Sequence, residues 1–284
     1  AMTLRLLLLL TIGGSAVTAC TSVPAARSPA GDARNASQAS DPDLGRFFGE
    51  LEGTFVLLDP QRDEVVRHNP ARARLRYLPG STFKIPNSLI ALDIGVVDGP
   101  DHLLPYNVAA APEQSWWPRS WLRDHTMRSA LPGSVIWYYQ EVARRIGADR
   151  MRNYLSRFGY GNQDVSSGID QFWLTGGLGI SAEEQVEFLR AFYFDELGVS
   201  ARATRETKEI ILLEESPAYR LSGKTGWVGY GDPSAPQIGW LVGYLERGSD
   251  VYFFATNIDM RGAQDAPARN AITVAILKDL GLMR

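Results

Sequence analysis

A serine and a lysine three positions apart are the first residues in this sequence whose types and spacing could do chemistry. Ser81 follows a Pro-Gly pair, and Lys84 comes three residues later. On a helix, side chains three positions apart lie on one face, so the amine of Lys84 is predicted to reach the hydroxyl of Ser81. A serine hydroxyl becomes an effective nucleophile when a neighbouring base takes its proton. The pair therefore predicts nucleophilic catalysis at a helix N-terminus.

Taken alone, the Ser-x-x-Lys spacing is a weak signal, because it arises by chance about once in a chain of this size. A helix cap followed by a surface lysine would explain it equally well. The sequence Lys224, Thr225, Gly226 adds a second signal, since Lys-Thr-Gly arises by chance in roughly one such chain in fifteen. It lies in a strand-like run and predicts a strand edge that offers a cation, a hydroxyl and a close-approach glycine to an anionic substrate. Acyl-transfer enzymes with a nucleophilic serine combine the two motifs.

Size and composition are those of an ordinary globular protein. The chain has 284 residues, of which 45% are hydrophobic, and a formal net charge of −3. Nucleic-acid-binding proteins usually carry a basic footprint, so no nucleic-acid partner is expected. The three histidines lie far apart and there is a single cysteine. A zinc site needs a cluster of such ligands, so no metal is expected.

The first 20 residues are predicted to be a secretory signal peptide. Arg5 precedes an apolar run at residues 6–12, and small residues continue to Cys20. This order is typical of exported chains, and the run is too short to span a membrane comfortably. Residues 17–20 resemble a bacterial lipobox, which predicts cleavage before Cys20 and lipid attachment to its thiol. The alternative is ordinary cleavage after residues 25–26, which would leave a soluble periplasmic protein.

The remainder is predicted to be a tether followed by one domain. Residues 21–41 are rich in Ala, Ser, Pro, Asp and Arg without apolar periodicity, which indicates a flexible tether. Residues 42–284 contain no repeat and no second low-complexity stretch, so they are expected to form a single catalytic domain. With the signal peptide, this organisation predicts a protein of the bacterial periplasm, held at a membrane if Cys20 is lipidated.

Hydrophobic periodicity predicts a sheet built from both ends of this domain. A β-hairpin is predicted at residues 53–67, and strands are predicted at residues 220–225, 238–244 and 251–257. Helices are predicted at residues 81–92, 134–147 and 265–280, and after a capping box at residues 181–184. This order implies a mixed α/β fold, with a central antiparallel sheet flanked by helices and a helical region inserted between its two halves.

The segments around the two motifs resemble the class D, or oxacillinase-type, serine β-lactamases. Residues 77–89 are similar to the active-serine region of that family, and Ser134 begins a Ser-x-Val-like element in which Ile136 replaces the usual valine. Tyr-Gly-Asn at residues 160–162 and Phe-Trp-Leu at residues 172–174 also match. The resemblance covers residues 45–284. It implies a penicillin-binding transpeptidase-like fold and hydrolysis of β-lactams through an acyl-enzyme on Ser81.

In that family the motif lysine is carboxylated by CO₂ or bicarbonate, and its carbamate is the general base of acylation and deacylation. The resemblance implies this role for Lys84, with no other cofactor. An ordinary lysine, with a pKa of ~10.4, is protonated at neutral pH, whereas burial can lower the pKa by up to ~3–5 units and free the amine. Phe83, Trp173, Leu174 and Ile136 would form the apolar pocket. The indole N–H of Trp173 would donate to the carbamate, and Ile136 and Leu174 would control water access.

The resemblance also assigns the other catalytic and substrate-binding roles. Backbone N–H groups of Ser81 and Trp227 would form the oxyanion hole, and Ser134 would pass a proton to the departing lactam nitrogen. Thr225 and Arg269 would hold the substrate carboxylate, and Lys224 would add positive potential. The alternative for Arg269 is a solvated arginine on the last helix. The predicted substrate-binding residues are Lys224, Thr225, Gly226, Trp227 and Arg269.

Two other functions share these motifs: a D-Ala-D-Ala peptidase of cell-wall synthesis, and a sensor domain that is acylated by β-lactams without rapid turnover. Such sensors end multi-span membrane proteins, and the peptidases lack the carbamate pocket that Ile136, Trp173 and Leu174 predict. Hydrolysis of small-molecule β-lactams is therefore the preferred function. Residues 228–237 are expected to shape the substrate range, and Tyr160 and Asn162 are expected to fix a loop.

Overall fold

The centre of the protein is a six-stranded antiparallel sheet in the order β2-β1-β8-β7-β6-β5. The structure is a computed structural model that describes residues 43–232 and 234–283. The strands are β1 (Gly53–Asp59), β2 (Glu64–His68), β3 (Leu103–Leu104), β4 (His125–Thr126), β5 (Leu212–Glu215), β6 (Arg220–Val228), β7 (Gln237–Arg247) and β8 (Asp250–Met260). Strands β3 and β4 form a separate two-stranded sheet. The predicted signal peptide, Cys20 and the tether lie outside the described residues.

Helices cover both faces of the large sheet. They are α1 (Pro70–Ala73), α2 (Lys84–Asp93), α3 (Met127–Ala130), α4 (Ile136–Ile146), α5 (Ala148–Phe158), α6 (Ala182–Tyr193), α7 (Ala201–Ile210) and α8 (Ala268–Asp279). Short 3₁₀ turns occur at Gly45–Phe47, Gly80–Phe83, Arg119–Trp121 and Ala263–Asp265. In the part of the chain that the structure describes, no helix is long and apolar enough to cross a membrane.

The predicted joining of the two chain ends in one sheet is confirmed. Strand β1 pairs with β2 in the predicted hairpin and with β8 on its other side, where Thr54 lies opposite Asn257. Most of the helices lie between β2 and β5 in the sequence, which makes them the predicted helical insertion. The mixed α/β architecture with a central antiparallel sheet is therefore present.

Alternate residues of the central strands enter two different apolar cores. In β1, Val56 and Leu58 join the core formed with α2, α4 and α6, whereas Phe55 and Leu57 join the core under α8. Successive strand side chains point to opposite faces, so an uninterrupted apolar run such as this one marks a strand buried on both sides. All seven residues of β1 are buried accordingly. The sheet is thus the middle layer of three.

The prediction of an α-helix from Ser81 is wrong in its first turn, because Ser81 lies in the 3₁₀ turn Gly80–Phe83 and α2 begins at Lys84. Pro86 has no N–H and cannot close an α-helical bond to the carbonyl of Thr82. The N–H of Lys84 donates to the carbonyls of Ser81 and Thr82 instead. In a 3₁₀ turn, residues three apart eclipse one another, so the two reactive side chains still share a face.

Two other predicted helix starts are also displaced. Ser134 does not open α4, which begins at Ile136; Ser134 has a φ of 54°, in the left-handed region. The last helix begins at Ala268 rather than at residue 265, because a 3₁₀ turn over Ala263–Asp265 precedes it. The predicted capping box at α6 is confirmed: the hydroxyl of Ser181 accepts from the N–H of Glu184, and the Glu184 carboxylate accepts from the N–H of Ser181.

Candidate active site

Ser81 and Lys84 are in direct hydrogen-bond contact. The Lys84 amine lies 2.8 Å from the Ser81 hydroxyl oxygen. The turn that carries Ser81 is tied to the segment of Trp173, since the N–H of Gly80 donates to the carbonyl of Trp173 at 3.1 Å. Gly80 has a φ of +53°, which a residue with a side chain rarely adopts. The Pro-Gly pair before Ser81 therefore supplies the sharp entry into the turn.

The amine of Lys84 is buried beside an aromatic ring. Lys84 is 0% exposed, and its Nζ lies 5.3 Å from the centre of the Tyr139 ring. The ring of the adjacent Phe83 stacks on Trp173 with 5.3 Å between centroids. Burial, and secondly the positive charge of Lys224, hold the pKa of Lys84 well below its usual range. This is the environment that favours an uncharged amine.

Lys224 is bound to the second motif serine. Its Nζ donates to the hydroxyl of Ser134 at 2.5 Å, to the carbonyl of Thr225 at 2.9 Å and to the Thr225 hydroxyl at 3.2 Å. Burial, and secondly the charge of Arg269, lower the pKa of Lys224 to about 7. The left-handed backbone of Ser134 places its hydroxyl where this lysine can reach it. Sequence distance concealed the contact, because 134 and 224 belong to different halves of the chain.

The strand that carries the Lys-Thr-Gly motif has an open edge where the motif lies. Strand β5 pairs only with residues 220–222 of β6, so β6 has no strand neighbour on that side from Gly223 onward in the described residues. Gly226 lies against the nucleophile turn: a Cβ there would be 2.8 Å from the carbonyl oxygen of Pro79 and 3.0 Å from Cγ2 of Thr82. A glycine is therefore what allows the motif strand to touch the turn that holds Ser81.

Arg269 points back toward the same strand. Its Nη1 donates to the carbonyl of Gly226 at 2.7 Å, its Nε donates to the carbonyl of Ala266 at 2.8 Å, and its guanidinium lies 5.7 Å from the Trp227 ring. Burial lowers the pKa of Arg269 to about 10. The guanidinium has five N–H donors, so these two bonds leave donors free for an anion. The arginine is bound to the motif strand rather than extended into solvent.

A cavity of about 870 Å³ adjoins these residues. Ile136, Leu174 and Trp227 are among its lining, and each follows a predicted catalytic or substrate-binding residue closely in the sequence. Ser81, Lys84, Ser134 and Lys224 are not lining residues. The cavity is therefore bordered by sequence neighbours of the reactive groups, with Ile136 and Leu174 in its wall. Its volume is in the range typical of small-molecule sites.

The loop between β6 and β7 contributes an aromatic wall that sequence analysis did not identify. The ring of Tyr230 lies 4.6 Å from that of Trp227 and 5.2 Å from that of Trp116, measured between centroids. Gly231 packs so closely on Trp116 that a Cβ would come within 2.7 Å of its ring. No local pattern around Trp116 signals this contact, because its partner follows more than a hundred residues later.

The Tyr-Gly-Asn motif has the structural position expected of it. The Asn162 amide donates to the carbonyl of Gly177 at 2.7 Å, and its oxygen accepts from the N–H of Gly179 at 2.9 Å. Tyr160 is buried and packs edge-on against Phe83, 5.8 Å between centroids. Asn162 thereby fixes its loop to the residues that follow Trp173, and Tyr160 packs against the residue that precedes Lys84.

No group of three or more His, Cys, Asp or Glu side chains suited to a metal ion occurs in residues 43–232 and 234–283. The reactive groups are instead two serines, two lysines and one arginine, all on elements that the sheet brings together. Sequence analysis named each of these. The position of Tyr139 beside the Lys84 amine was not predicted.

Comparison with known proteins agrees with this geometry. The sequence profile of the penicillin-binding protein transpeptidase domain matches residues 53–278. The chain is 39% identical over 233 residues to β-lactamase OXA-10 of Pseudomonas aeruginosa, covering 82% of this chain and 86% of that one. It is 42% identical over 227 residues to β-lactamase OXA-48 of Klebsiella pneumoniae, covering 80% of this chain and 83% of that one.

Solved structures give the same result. The class D β-lactamase YbXI from Nostoc superimposes with a TM-score of 0.79 at 40% identity, covering 85% of this chain and 99% of the other. The fold is therefore the transpeptidase-like fold that the motifs predicted. Within that fold, the chain belongs to the class D serine β-lactamases.

Proposed function

We propose that the protein hydrolyses β-lactam antibiotics through an acyl-enzyme on Ser81, with Lys84 carboxylated in the active state. The observation that carries the proposal is the buried Lys84 amine, 2.8 Å from the Ser81 hydroxyl oxygen. Membership of the class D family supports the substrate class. No separate observation favours the peptidase or the sensor function.

The surroundings of Lys84 fit a carboxylated lysine. Lys84 has no salt bridge in the described residues, so no carboxylate offsets the burial of an ammonium ion there. A neutral amine can attack the carbon of CO₂: an N–C bond forms as one C–O π bond opens, its electron pair becomes the negative charge of the product, and the nitrogen releases one proton. The nearby cation of Lys224, which opposes a second cation at Lys84, would favour an anion there. Indole N–H donation from Trp173 is part of this proposal.

When present, the carbamate supplies the general base for acylation and deacylation. The chain itself positions the nucleophile: the 3₁₀ turn holds the Ser81 hydroxyl toward Nζ of Lys84, and the N–H of Gly80 is tied to Trp173. The backbone N–H groups of Ser81 and Trp227 would receive the oxyanion, a contribution for which one donor is typically worth ~10²–10³ in rate. Ser134 would donate its hydroxyl proton to the departing lactam nitrogen.

Substrate binding would use the open edge of β6. Thr225 offers a hydroxyl, and Arg269 offers the free donors of its guanidinium to the carboxylate that β-lactams carry. Lys224 would add positive potential. Through its direct hydrogen bond it would also return a proton to Ser134 after Ser134 has given its own to the lactam nitrogen. The glycine at position 226 keeps the edge free of a side chain on the nucleophile turn.

We further propose that the protein is exported to the periplasm and attached to a membrane through a lipid on Cys20. The support is the order of charge, apolar run and small residues ending at Cys20. Labelled palmitate should enter the wild-type protein in cells, and Cys20→Ser should abolish labelling and release the enzyme from membranes. Equal labelling of Cys20→Ser would contradict the lipid anchor.

The experiment that tests the carbamate uses enzyme decarboxylated at acid pH and returned to CO₂-free buffer. Hydrolysis of a chromogenic cephalosporin should be at least about tenfold slower than after addition of bicarbonate, because a general base is typically worth ~10²–10⁴ in rate. With ¹³C-labelled bicarbonate, a carbamate NMR signal should appear in the wild type. Full activity without CO₂ would overturn the carbamate and leave the serine mechanism to be judged from Ser81→Ala.

The matched variants replace the buried Lys84 and the half-buried Lys208. Lys84→Ala should remove both the carbamate signal and turnover. Lys208→Ala should keep both, because the amine of Lys208, although its pKa is also lowered by burial, is bound to the carbonyl of Tyr193 at 2.7 Å and lies outside the site. A carbamate signal that disappears in Lys208→Ala instead would reassign the modified residue.

A further inference from the structure

Three residues of α4 form one stripe along the wall of the cavity. Ile136, Gln140 and Arg144 are spaced by four, which places them on one face of a helix, and all three line the cavity. The stripe begins with the apolar side chain of Ile136, two residues after Ser134. It ends about two helical turns further along α4 with the cation of Arg144. Only the first of these residues, Ile136, has a place in the proposed mechanism.

A second wall of the cavity, on the segment that carries Trp173, has a charged and an apolar residue in the reverse order along the chain. Asp170 and Leu174 are also spaced by four and also line the cavity. The N–H groups of Leu174 and Thr175 both donate to the carbonyl of Gln171, so the segment is a compact turn between the two residues. Leu174 therefore faces the same space as Ile136, and Asp170 faces the same space as Arg144. We call Ile136 and Leu174 the gate.

Asp170 joins the two walls. Its carboxylate accepts from Nη1 of Arg144 at 2.7 Å, and its backbone carbonyl accepts from the side-chain amide of Gln140 at 3.1 Å. In the described residues, Asp170 is the one residue of the segment 165–178 that is hydrogen-bonded to α4. We call Gln140, Arg144 and Asp170 the clasp. Its bonds fix both the backbone and the charge of the turn to the helix.

Arg144 is itself oriented before it meets the turn. Its Nε donates to the Glu141 carboxylate at 3.2 Å, which leaves Nη1 directed at Asp170. The neighbouring Arg145 binds the same Glu141 through its Nε at 2.9 Å but does not reach the turn. Two adjacent arginines thus share one acidic partner, and of the two only Arg144 also donates to Asp170.

We propose that the clasp is a positioning device. It sets the distance between the two gate residues and thereby keeps water away from the Lys84 amine. The proposal rests on the carbamate function proposed above. The apolar gate alone has no directional bonds, whereas the clasp has two hydrogen bonds between α4 and Asp170. Asp170 lies only four residues before Leu174. With the clasp released, the turn can move away from α4 and admit water to Lys84. Water favours the ammonium form over the neutral amine, so the carbamate fraction should fall.

The test is a ¹³C NMR titration of the carbamate with labelled bicarbonate. Asp170→Asn and Arg144→Gln should each need roughly three to ten times more bicarbonate for half-carboxylation than the wild type. Asp170→Glu, which keeps the charge, should return to within about twofold of the wild type. The matched control is Arg145→Gln, which loses the same charge from the same helical turn and the same Glu141 partner. It should titrate like the wild type.

A purely structural role would lower the unfolding temperature without moving the bicarbonate midpoint, so both quantities are measured for every variant. If Asp170→Asn does not fold, Arg144→Gln decides the matter, because the Gln140 bond to the Asp170 backbone remains in that variant. Wild-type-like midpoints in the charge-removing variants would overturn the clasp and leave the carbamate function standing. A wild type without any carbamate signal would overturn both.

Discussion

The Nζ atom of Lys224 lies 2.5 Å from the hydroxyl oxygen of Ser134, so a strand near the C-terminus and the segment before α4 share one hydrogen bond at the site. The backbone of Ser134 is in the left-handed region, with a φ of 54°. That conformation costs a residue with a side chain roughly 1–2 kcal/mol relative to ordinary helical backbone.

Removal of the Ser134 hydroxyl should lower kcat while leaving the fold intact. Ser134→Ala is expected to reduce kcat by ~10²–10³, because proton transfer to the leaving group is lost. Ser134→Gly should lose the same activity. It should nevertheless be more stable than Ser134→Ala by about 0.4–1 kcal/mol, since glycine tolerates positive φ. Steady-state kinetics and thermal unfolding of the two variants check this. Equal unfolding temperatures for both variants would contradict the strain, and near-wild-type kcat would contradict the proton transfer.

Replacement of Lys84 by methionine should stabilise the CO₂-free protein in a pH-dependent manner. Burial holds the pKa of Lys84 well below its usual range, so between that pKa and the unfolded-state value of ~10.4 the unfolded chain binds the additional proton. Wild-type stability therefore rises with pH through this window. Lys84→Met lacks this term, and its advantage in Tm should be largest at the acid end of the window and vanish near pH ~10.

The control for this measurement is Lys278→Met, at an exposed position of α8. Thermal unfolding of the three proteins from pH 6 to 10, in buffer free of CO₂, gives the comparison. A Tm difference between Lys84→Met and the wild type that stays constant with pH would mean that the amine is not buried in the form described here.

Removal of the Arg269 side chain should weaken binding of the substrate carboxylate. A hydrogen bond to a charged group is typically worth ~1.5–3 kcal/mol, so Arg269→Ala is expected to raise KM by about 10–100-fold with a smaller change in kcat. The charge of Arg269 also contributes to lowering the pKa of Lys224 to about 7, so that pKa should rise in the variant. A methyl ester of the same β-lactam is the matched ligand. If wild type and variant discriminate equally between acid and ester, Arg269 does not bind the carboxylate.

Tyr230 should limit the size of the side chain that a substrate can carry. Its ring lies between Trp227 and Trp116 at the cavity, and aromatic pairs of this kind contribute ~0.5–1.5 kcal/mol each. Tyr230→Ala is expected to raise kcat/KM for β-lactams with bulky aromatic side chains by about 2–10-fold, and to leave small penicillins unaffected. Tyr230→Phe keeps the ring and should match the wild type. A uniform effect on all substrates would indicate a loss of general integrity instead.

Local sequence was sufficient where chemistry depends on neighbours in the chain. The contact between Ser81 and Lys84 follows from a spacing of three, and it survives even though the turn is 3₁₀ rather than α-helical. The strands β7 and β8 follow from apolar runs, and the start of α6 follows from its capping box. In each case one segment contains the whole signal.

Contacts between distant segments were beyond such reasoning. Helices α5 and α7 were not predicted, although their few buried residues recur every three or four positions, because charged side chains separate them. The pairs Arg144–Asp170 and Trp116–Tyr230 join segments whose approach depends on how the helical insertion folds back on the sheet. Residue types at either end fit ordinary surface or core roles equally well. Tertiary packing alone reveals their place in the cavity wall.

The pairing of β1 with β8 has a consequence for the order of assembly. The first strand of the catalytic domain acquires its inner neighbour only when the last strand has been made, because Thr54 is matched with Asn257. Until then, β1 has β2 alone beside it, and two strands are marginal in water. Contacts of such long sequence separation slow folding, so a nascent or truncated chain that lacks β8 would expose an apolar strand to aggregation. The central sheet of this enzyme is therefore completed late, after β8 has been synthesised.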